Sequence, residues 1–103
     1  MSKEELFKRN EAIVLYLGGT VNWGITIKNF TTDHTITGEF VSEYRIKGLN
    51  TGGFEDRMLF SNLKFHKSWE WLVPLASKFS KFISTDMNTA FIEVTDHIMS
   101  LKQ

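Results

Sequence analysis

Three histidines are the residues of this sequence that could most readily bind a metal ion. His34, His66 and His97 are spread along the chain, none stands four residues from another, and there is no cysteine. The ligand spacing of a zinc site is therefore missing. His97 does follow Glu93 by four residues and adjoins Asp96, a pattern typical of a charged, solvated helix face. We predict no metal site.

His66 and Ser68 could supply a base and a nucleophile. A catalytic serine needs an oriented base and an oxyanion hole, usually on a strained turn. Ser68 instead precedes the segment Trp69-Glu70-Trp71, where an N-cap serine would bind backbone N–H groups of a starting helix through its hydroxyl. We therefore predict a helix cap, no catalytic residue, no cofactor and no enzymatic activity.

A glycine-rich segment, residues 48–53, is flanked by the cations Arg45, Lys47 and Arg57. It lacks the lysine and the following serine or threonine of a P-loop. Cations beside backbone N–H groups can still bind an anion, and an aromatic ring such as that of Trp71 could stack on a nucleotide. These four residues are our predicted site for a small anionic ligand. A hairpin loop with solvated charges is the open alternative.

In the first half of the chain, the spacing of apolar residues changes near Thr20 from the spacing of a helix to the alternation of a strand. Ser2 and Glu5 form a capping-box pattern, and Gly18-Gly19 supplies a stop, so residues 2–17 are predicted to be a helix. Residues 12–17 are a continuous apolar run that would also fit a strand. Alternation then predicts strands over residues 21–28 and 36–47, separated by a turn at 31–34, and a third strand over 59–65.

Two helices are predicted to close the chain. Ser68 caps the first, which has two apolar stripes and is expected to kink at Pro74 or to begin near it. Thr85 is predicted to cap the second, whose apolar residues repeat from Met87 to Leu101. The expected fold is α+β, a three-stranded antiparallel β-meander packed against helices, in the order α-β-β-β-α-α.

Composition limits the class of protein. The chain has 103 residues, which we expect to form a single α+β domain (1–103), and 12 basic residues balance 12 acidic ones. Phosphate binding needs local positive charge, so nucleic acid is a disfavoured partner. No apolar run reaches the length of about 18 residues that a membrane helix needs, and the polar N-terminus does not resemble a secretory signal. We expect a cytoplasmic protein without membrane contact.

The apolar surface of the predicted helices exceeds what a monomer of this size readily covers. Large exposed apolar patches usually mark interaction sites, and a symmetric homodimer is the commonest way to cover one. Trp69, Phe91 and Ile98 are our predicted interface residues.

The segment 65–74, Phe-His-Lys-Ser-Trp-Glu-Trp-Leu-Val-Pro, resembles a recurrent pattern in small uncharacterised proteins of Bacteroidetes bacteria and their phages. Those proteins carry aromatic-His-x-Ser-Trp-acid-Trp-Leu-x-Pro before a helix. Residues 10–18 are similar to their Asn-x-x-Ile-x-x-aromatic-Leu/Met-Gly opening, and residues 90–102 to their terminal helix. The resemblance leaves out residues 20–62, and the extra segment that often separates the last two helices is missing here.

The resemblance implies a phage or mobile-element accessory protein that works in a bacterial host cytoplasm. Our leading hypothesis is a non-enzymatic protein, dimeric, that acts by binding a host protein. A protein that binds or sequesters a small molecule, such as a nucleotide or signal ligand, is the first alternative. A virion or assembly component is the second.

Overall fold

The computed structural model describes residues 1–26, 31–46, 57–79 and 84–101. The predicted α+β class and the three-stranded antiparallel meander are confirmed, with strand order β1-β2-β3. One short helix, α2, is added between the second and third strands. The elements are α1 (Lys3–Tyr16), β1 (Thr20–Thr26), β2 (Thr31–Thr37), α2 (Phe40–Ile46), β3 (Arg57–Leu59), a 3-10 turn (Phe60–Asn62), α3 (Trp69–Ser77) and α4 (Met87–Ser100).

The chain divides into two compact units. The first unit is Met1–Ile13 with Lys64–Gln103, and the second is Val14–Leu63. The first contains α3, α4 and most of α1, and the second contains the sheet and α2. The predicted single domain stays a prediction.

Helix α1 begins and ends where the sequence places its caps. The Ser2 hydroxyl accepts a hydrogen bond from the Glu5 N–H at 3.1 Å, and its carbonyl accepts one from the Leu6 N–H at 3.0 Å. At the other end, Gly18 adopts a φ of 86°, and the Gly19 N–H reaches the Val14 carbonyl at 2.9 Å. This is a Schellman ending, which glycine makes possible. The helix therefore includes residues 12–16, and the strand alternative for that run is wrong.

The sheet is built on a row of apolar side chains across its three strands. Ile36 lies opposite Val21 on one side and Met58 on the other. Ile36 and Met58 are both buried, so this row is the core face of the sheet. Threonine is enriched in strands because its branched side chain fits the pleat, and four threonines occupy the seven residues of β2. The predicted turn at 31–34 is therefore wrong: these residues belong to β2, with Thr31 opposite Thr26.

The predicted second strand ends early because residues 40–46 form helix α2. The alternation argument used Phe40 and Tyr44, but a spacing of four residues fits one turn of a helix as well as two repeats of a strand. The burial of Val41 favours the helix. Val41 and Tyr44 are both buried, and residues three positions apart share one face of a helix but point to opposite faces of a strand. Gly38, with a φ of 150°, ends β2, and its carbonyl accepts a hydrogen bond from the Val41 N–H at 3.0 Å.

The third strand is also shorter than its prediction. It covers residues 57–59, and the chain then turns through the 3-10 segment 60–62, closed by a 3.1 Å hydrogen bond from the Leu63 N–H to the Phe60 carbonyl. Phe60, Leu63 and Phe65 are nevertheless buried. The apolar residues of the segment 60–65 are therefore explained by their burial after the 3-10 turn, and not by a strand.

In the first unit, Arg9 of α1 joins that helix to α4. Its Nη1 donates to Thr95 Oγ1 at 2.8 Å, to Asp96 Oδ1 at 2.7 Å and to the Ile92 carbonyl at 3.3 Å. Its Nη2 lies 3.6 Å from Glu5 Oε1. The guanidinium is thus held by α1 and α4 together, and its side chain is only 11% exposed.

Helix α4 packs an apolar stripe and starts one residue later than predicted. Its cap is Asp86, whose carboxylate accepts the Thr89 N–H at 2.8 Å and the Thr89 hydroxyl at 2.7 Å. These two hydrogen bonds lower the pKa of Asp86. The prediction of Thr85 as the cap is therefore wrong by one residue. The buried residues of the helix are Ala90, Phe91, Val94, Thr95 and Ile98.

Among the described residues, no helix combines the length and the apolar character needed to cross a lipid bilayer.

Candidate functional site

Helix α3 carries the clearest candidate for a functional surface. Successive residues of an α-helix are turned by about 100° around its axis, so nine residues sample the full circumference. The buried residues Trp71, Leu72, Leu75 and Ala76 fall on one side. The other half of the circumference is the α3 face, which runs from Trp69 at one edge to the C-cap residue Lys78 at the other and includes Glu70, Val73, Pro74 and Ser77.

Two large apolar side chains of the α3 face are exposed. Trp69 is 39% exposed and Val73 is 45% exposed. They lie one turn apart, so their side chains are neighbours along the same edge of the helix. The sequence predicted more apolar surface on this helix than packing requires, and Trp69 and Val73 are where that surplus lies.

The start of α3 fixes where Trp69 points. Ser68 is the N-cap in extended conformation (φ −136°, ψ 121°), as predicted. The predicted mechanism is wrong, however, because the Ser68 side chain makes no capping hydrogen bond. Its carbonyl accepts the N–H groups of Trp71 at 3.1 Å and Leu72 at 3.0 Å. The helix start is thus defined by its backbone and by the burial of Trp71.

Trp71 belongs to the core rather than to an open ligand site. It is 1% exposed, and its ring meets that of Phe65 edge to face with centroids 5.1 Å apart. An indole enclosed in this way has no face left for a ligand, which corrects the prediction that Trp71 stacks on one. The Trp-x-Trp pair is therefore split, with the second ring in the core and the first partly exposed.

Burial also removes two of the three predicted interface residues. Phe91 and Ile98 are almost completely buried within the chain, so they have no surface to offer a partner. Phe91 packs on the His66 ring, with centroids 6.0 Å apart. Of the three predicted interface residues, Trp69 is the exposed one.

His66 is held in an apolar setting. Burial lowers its pKa, and the neighbouring charge of Lys67 lowers the pKa further. Within the described part of the chain, its Nδ1 is buried and has no hydrogen-bond partner. This atom therefore shows no oriented contact with a nucleophile such as Ser68.

The other two histidines belong to α4 and β2. His97 packs its ring edge to face on Phe79, with centroids 4.7 Å apart. His34 lies in β2 rather than in the predicted turn. The described residues contain no cluster of three or more histidine, cysteine, aspartate or glutamate side chains that could hold a metal ion.

The predicted anion site falls mainly outside the described residues. Lys47 and the glycine-rich segment 48–53 lie there entirely, and only the backbone is described for Arg45, in α2, and Arg57, the first residue of β3. Helix α2 and strand β3 contact each other, which brings these two backbones into one region. The predicted anion contacts of the three cations stay predictions.

A shallow cleft of about 360 Å³ in the first unit offers little to a ligand. It is lined by Ser2, Glu4, Glu5, Lys8, Arg9 and Met99. Acidic and basic side chains are mixed around it, and the Arg9 guanidinium is already held by Thr95 and Asp96. The cleft therefore has no dominant charge with which to select a partner.

Sequence reasoning placed Val73 in the buried stripe and gave no role to Glu70 or Lys78. Plotting residues 69–78 at 100° per residue puts Val73 about 160° from both Trp71 and Leu75, whereas Glu70 lies about 100° from Trp71 and Lys78 only about 20° from it. Fixing the indole of Trp71 as the buried one would have identified the exposed side.

Comparisons with protein-family models, with curated proteins and with solved structures each found no match for this chain. The candidate site therefore rests on its geometry.

Proposed function

We propose that this chain is a non-enzymatic accessory protein that acts by binding other proteins through the α3 face. The observation that carries the proposal is the exposure of Trp69 together with Val73 on one edge of a helix whose other side is fully packed. Tryptophan is enriched among the residues that dominate binding energy at protein interfaces. Its exposure in a 103-residue chain removes a large apolar area from the core, where it would stabilise folding.

The surroundings of Trp69 suit a contact between proteins. Glu70, the next residue in the chain, is exposed, and interfaces commonly surround an apolar anchor with polar and charged residues. The helix itself is rigidly seated by four buried side chains, so Trp69 is presented from a preorganised element. Preorganisation reduces the entropy lost on association.

The resemblance of residues 65–74 to small phage and Bacteroidetes proteins supplies the proposed setting, in which the partner is a host protein in the bacterial cytoplasm. The proposed dimer rests instead on the exposed apolar surface. Binding by stoichiometric contact needs no catalytic group. Binding of a small anionic ligand is our second proposal. The exposure of Trp69 supports the first proposal, and no comparable observation supports the ligand-binding residues.

The test is affinity capture from a Bacteroidetes host lysate with three tagged chains: wild type, Trp69→Ser and Leu101→Ser. Leu101 is 53% exposed and lies at the end of α4, so its variant removes a comparable apolar side chain elsewhere. We expect a protein that is retained by the wild type and by Leu101→Ser but lost with Trp69→Ser. Equal retention by all three chains, or no retained protein, would contradict the proposed surface.

A further inference from the structure

We infer that strand β1 pairs with β1 of a second copy of this chain, antiparallel and about a two-fold axis at Trp23, so that the two sheets become one. The inference rests on the proposed function for the dimeric state alone, and it assigns the contact between the copies to β1. The α3 face then stays available to a host protein. Three features of β1 support the pairing: its place at the edge of the sheet, its composition and the residue types at its symmetric positions.

Strand β1 lies at an edge of the sheet. Within the described residues the strand order is β1-β2-β3, so β1 has β2 on one side and no strand on the other. In an antiparallel pair, the N–H and C=O groups of alternate residues point away from the neighbouring strand. At an edge, such a row of groups is a template for another strand. Thr20 and Asn22 of β1 are exposed.

This edge lacks the features by which folded proteins usually protect one, which are lysines, prolines and β-bulges. The seven residues of β1 include no charged residue and no proline. Each of them has one partner in β2, from Thr20 opposite Thr37 to Thr26 opposite Thr31, so the register between these strands has no bulge. Gly24 lies inside the strand, where a glycine often marks the close approach of another backbone. An edge of this kind suits strand addition.

The residue types of β1 are symmetric about Trp23. A two-fold axis at this position sets Thr20 opposite Thr26 of the second copy and Val21 opposite Ile25. The symmetry forms each pair twice, and all four residues are of the β-branched type that favours pairing between strands. Trp23 stands opposite its own counterpart. The axis is perpendicular to the sheet, so the core faces of both copies stay on one side.

Other registers pair less of the strand. An axis at Asn22 pairs only residues 20–24, and an axis at Gly24 pairs only residues 22–26, whereas the axis at Trp23 pairs all seven. An axis between two residues would set residues of opposite sheet faces against each other, which a regular ladder does not allow. Pairing of β1 with β3 is limited by the three residues of β3.

The contact expected from one strand of each copy is small. Specific interfaces below about 1,200 Å² in total are typical of weak and transient complexes. We therefore expect a dimer in equilibrium with monomers. A covalent trap is the sharpest test, because it records both the contact and its register.

The experiment is disulfide trapping with single-cysteine variants, since the chain has no cysteine. Chains carrying Thr20→Cys and chains carrying Thr26→Cys are mixed in equal amounts in a glutathione redox buffer. In the proposed pair the two positions are directly opposite, with Cα atoms about 4.5–5.5 Å apart. A disulfide needs about 4.4–6.8 Å, so we expect the mixed dimer to exceed either homodimer about tenfold, against about twofold for random encounter.

Each variant serves as a control for the other. Two Thr20→Cys chains would hold their cysteines about 20 Å apart along the strands, at about 3.4 Å per residue, so neither variant should form this disulfide with itself. Asn88→Cys is the matched control at a distant position, because Asn88 is exposed on α4. Mixed with Thr20→Cys chains, it should give the proportions of random encounter.

Sedimentation velocity on charged variants tests the same register without a covalent bond. Lysines at positions 20 and 26 face each other twice in the proposed pair, so Thr20→Lys with Thr26→Lys should associate about tenfold more weakly than Thr20→Lys with Thr26→Glu. Within one chain the two positions are about 20 Å apart, beyond the Debye length of about 8 Å. Thr20→Lys with Asn88→Lys adds the same net charge without facing lysines and should associate more tightly than the first variant. Circular dichroism checks folding, and if a lysine unfolds the chain, the disulfide result decides.

Several outcomes would overturn the inference: a wild type that is monomeric at every concentration measured, a mixed disulfide no more frequent than random encounter gives, or equal association of the two strand variants that differ at position 26. A monomeric wild type whose Thr20→Cys variant forms a disulfide with another protein would show that a different chain occupies the edge, which also overturns it.

The proposed function fails separately. If the wild type is monomeric but captures a host protein that Trp69→Ser loses, only the pairing of β1 is refuted. If the mixed disulfide forms as expected but Trp69→Ser captures the same proteins as the wild type, only the role of the α3 face is refuted.

Discussion

Replacing Arg9 with methionine should lower the free energy of unfolding by about 2 kcal/mol, and most of that loss should come from one contact. The guanidinium bonds to Thr95 at 2.8 Å and to Asp96 at 2.7 Å. Distance alone would rank the two contacts as equal. Thr95 is completely buried, whereas the Asp96 side chain is 62% exposed.

The different exposure of the two partners decides the expected magnitudes. A hydrogen bond from a charged group to a neutral partner in the interior contributes about 1.5–3 kcal/mol. An ion pair with a solvent-exposed carboxylate contributes about 0–1 kcal/mol, and the same range applies to Glu5, whose side chain is 49% exposed. Methionine keeps much of the length and apolar contact of the arginine stem, which limits losses from packing.

Urea unfolding followed by tryptophan fluorescence measures these terms in two double-mutant cycles. One cycle combines Arg9→Met with Thr95→Val, and the other combines Arg9→Met with Asp96→Asn. The hydrogen bond from the Thr95 hydroxyl to the Phe91 carbonyl is lost in both Thr95 variants, so it cancels in the cycle. We expect a coupling of about 1.5 kcal/mol or more with Thr95 and below about 1 kcal/mol with Asp96. A larger coupling with Asp96 would refute the argument from burial.

Three further predictions concern stability. Gly19→Ala should destabilise the fold by about 1–3 kcal/mol, because an added Cβ would lie 2.8 Å from Cζ of Phe40; Phe40→Leu in the same chain should recover part of the loss in urea unfolding. The lowered pKa of His66 means that its contribution to stability is present above pH 6.5 and is lost as pH falls through the folded-state pKa; His66→Gln should remove this part of the pH dependence. Asp86→Ala should lower the thermal midpoint, whereas Thr85→Ala should leave it unchanged, because Asp86 accepts the capping hydrogen bond.

Each of these predictions has its own contradicting result. A Gly19→Ala chain as stable as the wild type would show that the Phe40 ring can move aside at no cost. Parallel pH profiles for the wild type and His66→Gln, measured from pH 7.5 to 5, would show that His66 is not coupled to folding. Equal midpoints for Asp86→Ala and Thr85→Ala would remove Asp86 as the cap.

The sequence predicted those elements whose boundaries are set by local chemistry. Ser2 and the pair Gly18-Gly19 bound α1 through hydrogen bonds that form within a few residues of each other. Local reasoning failed where one spacing fits two structures, as with Phe40 and Tyr44. The burial of Val41, which selects helix α2, depends on packing that the alternation pattern does not contain.

The candidate site was only partly predictable for a related reason. Trp69 and Trp71 are the same residue type two positions apart, and composition cannot tell which of them the core accepts. Trp71 is the buried one because it lies on the same side of α3 as the buried residues Leu72, Leu75 and Ala76.

The most direct test of the central claim is photo-crosslinking from the α3 face. A benzophenone amino acid is introduced in place of Val73 in one chain and in place of Leu101 in a second, and crosslinked peptides are identified by mass spectrometry. We predict crosslinks from position 73 to a second protein and no comparable product from position 101. Products that are equal from both positions, or absent from position 73, would contradict the claim that this helix face binds protein.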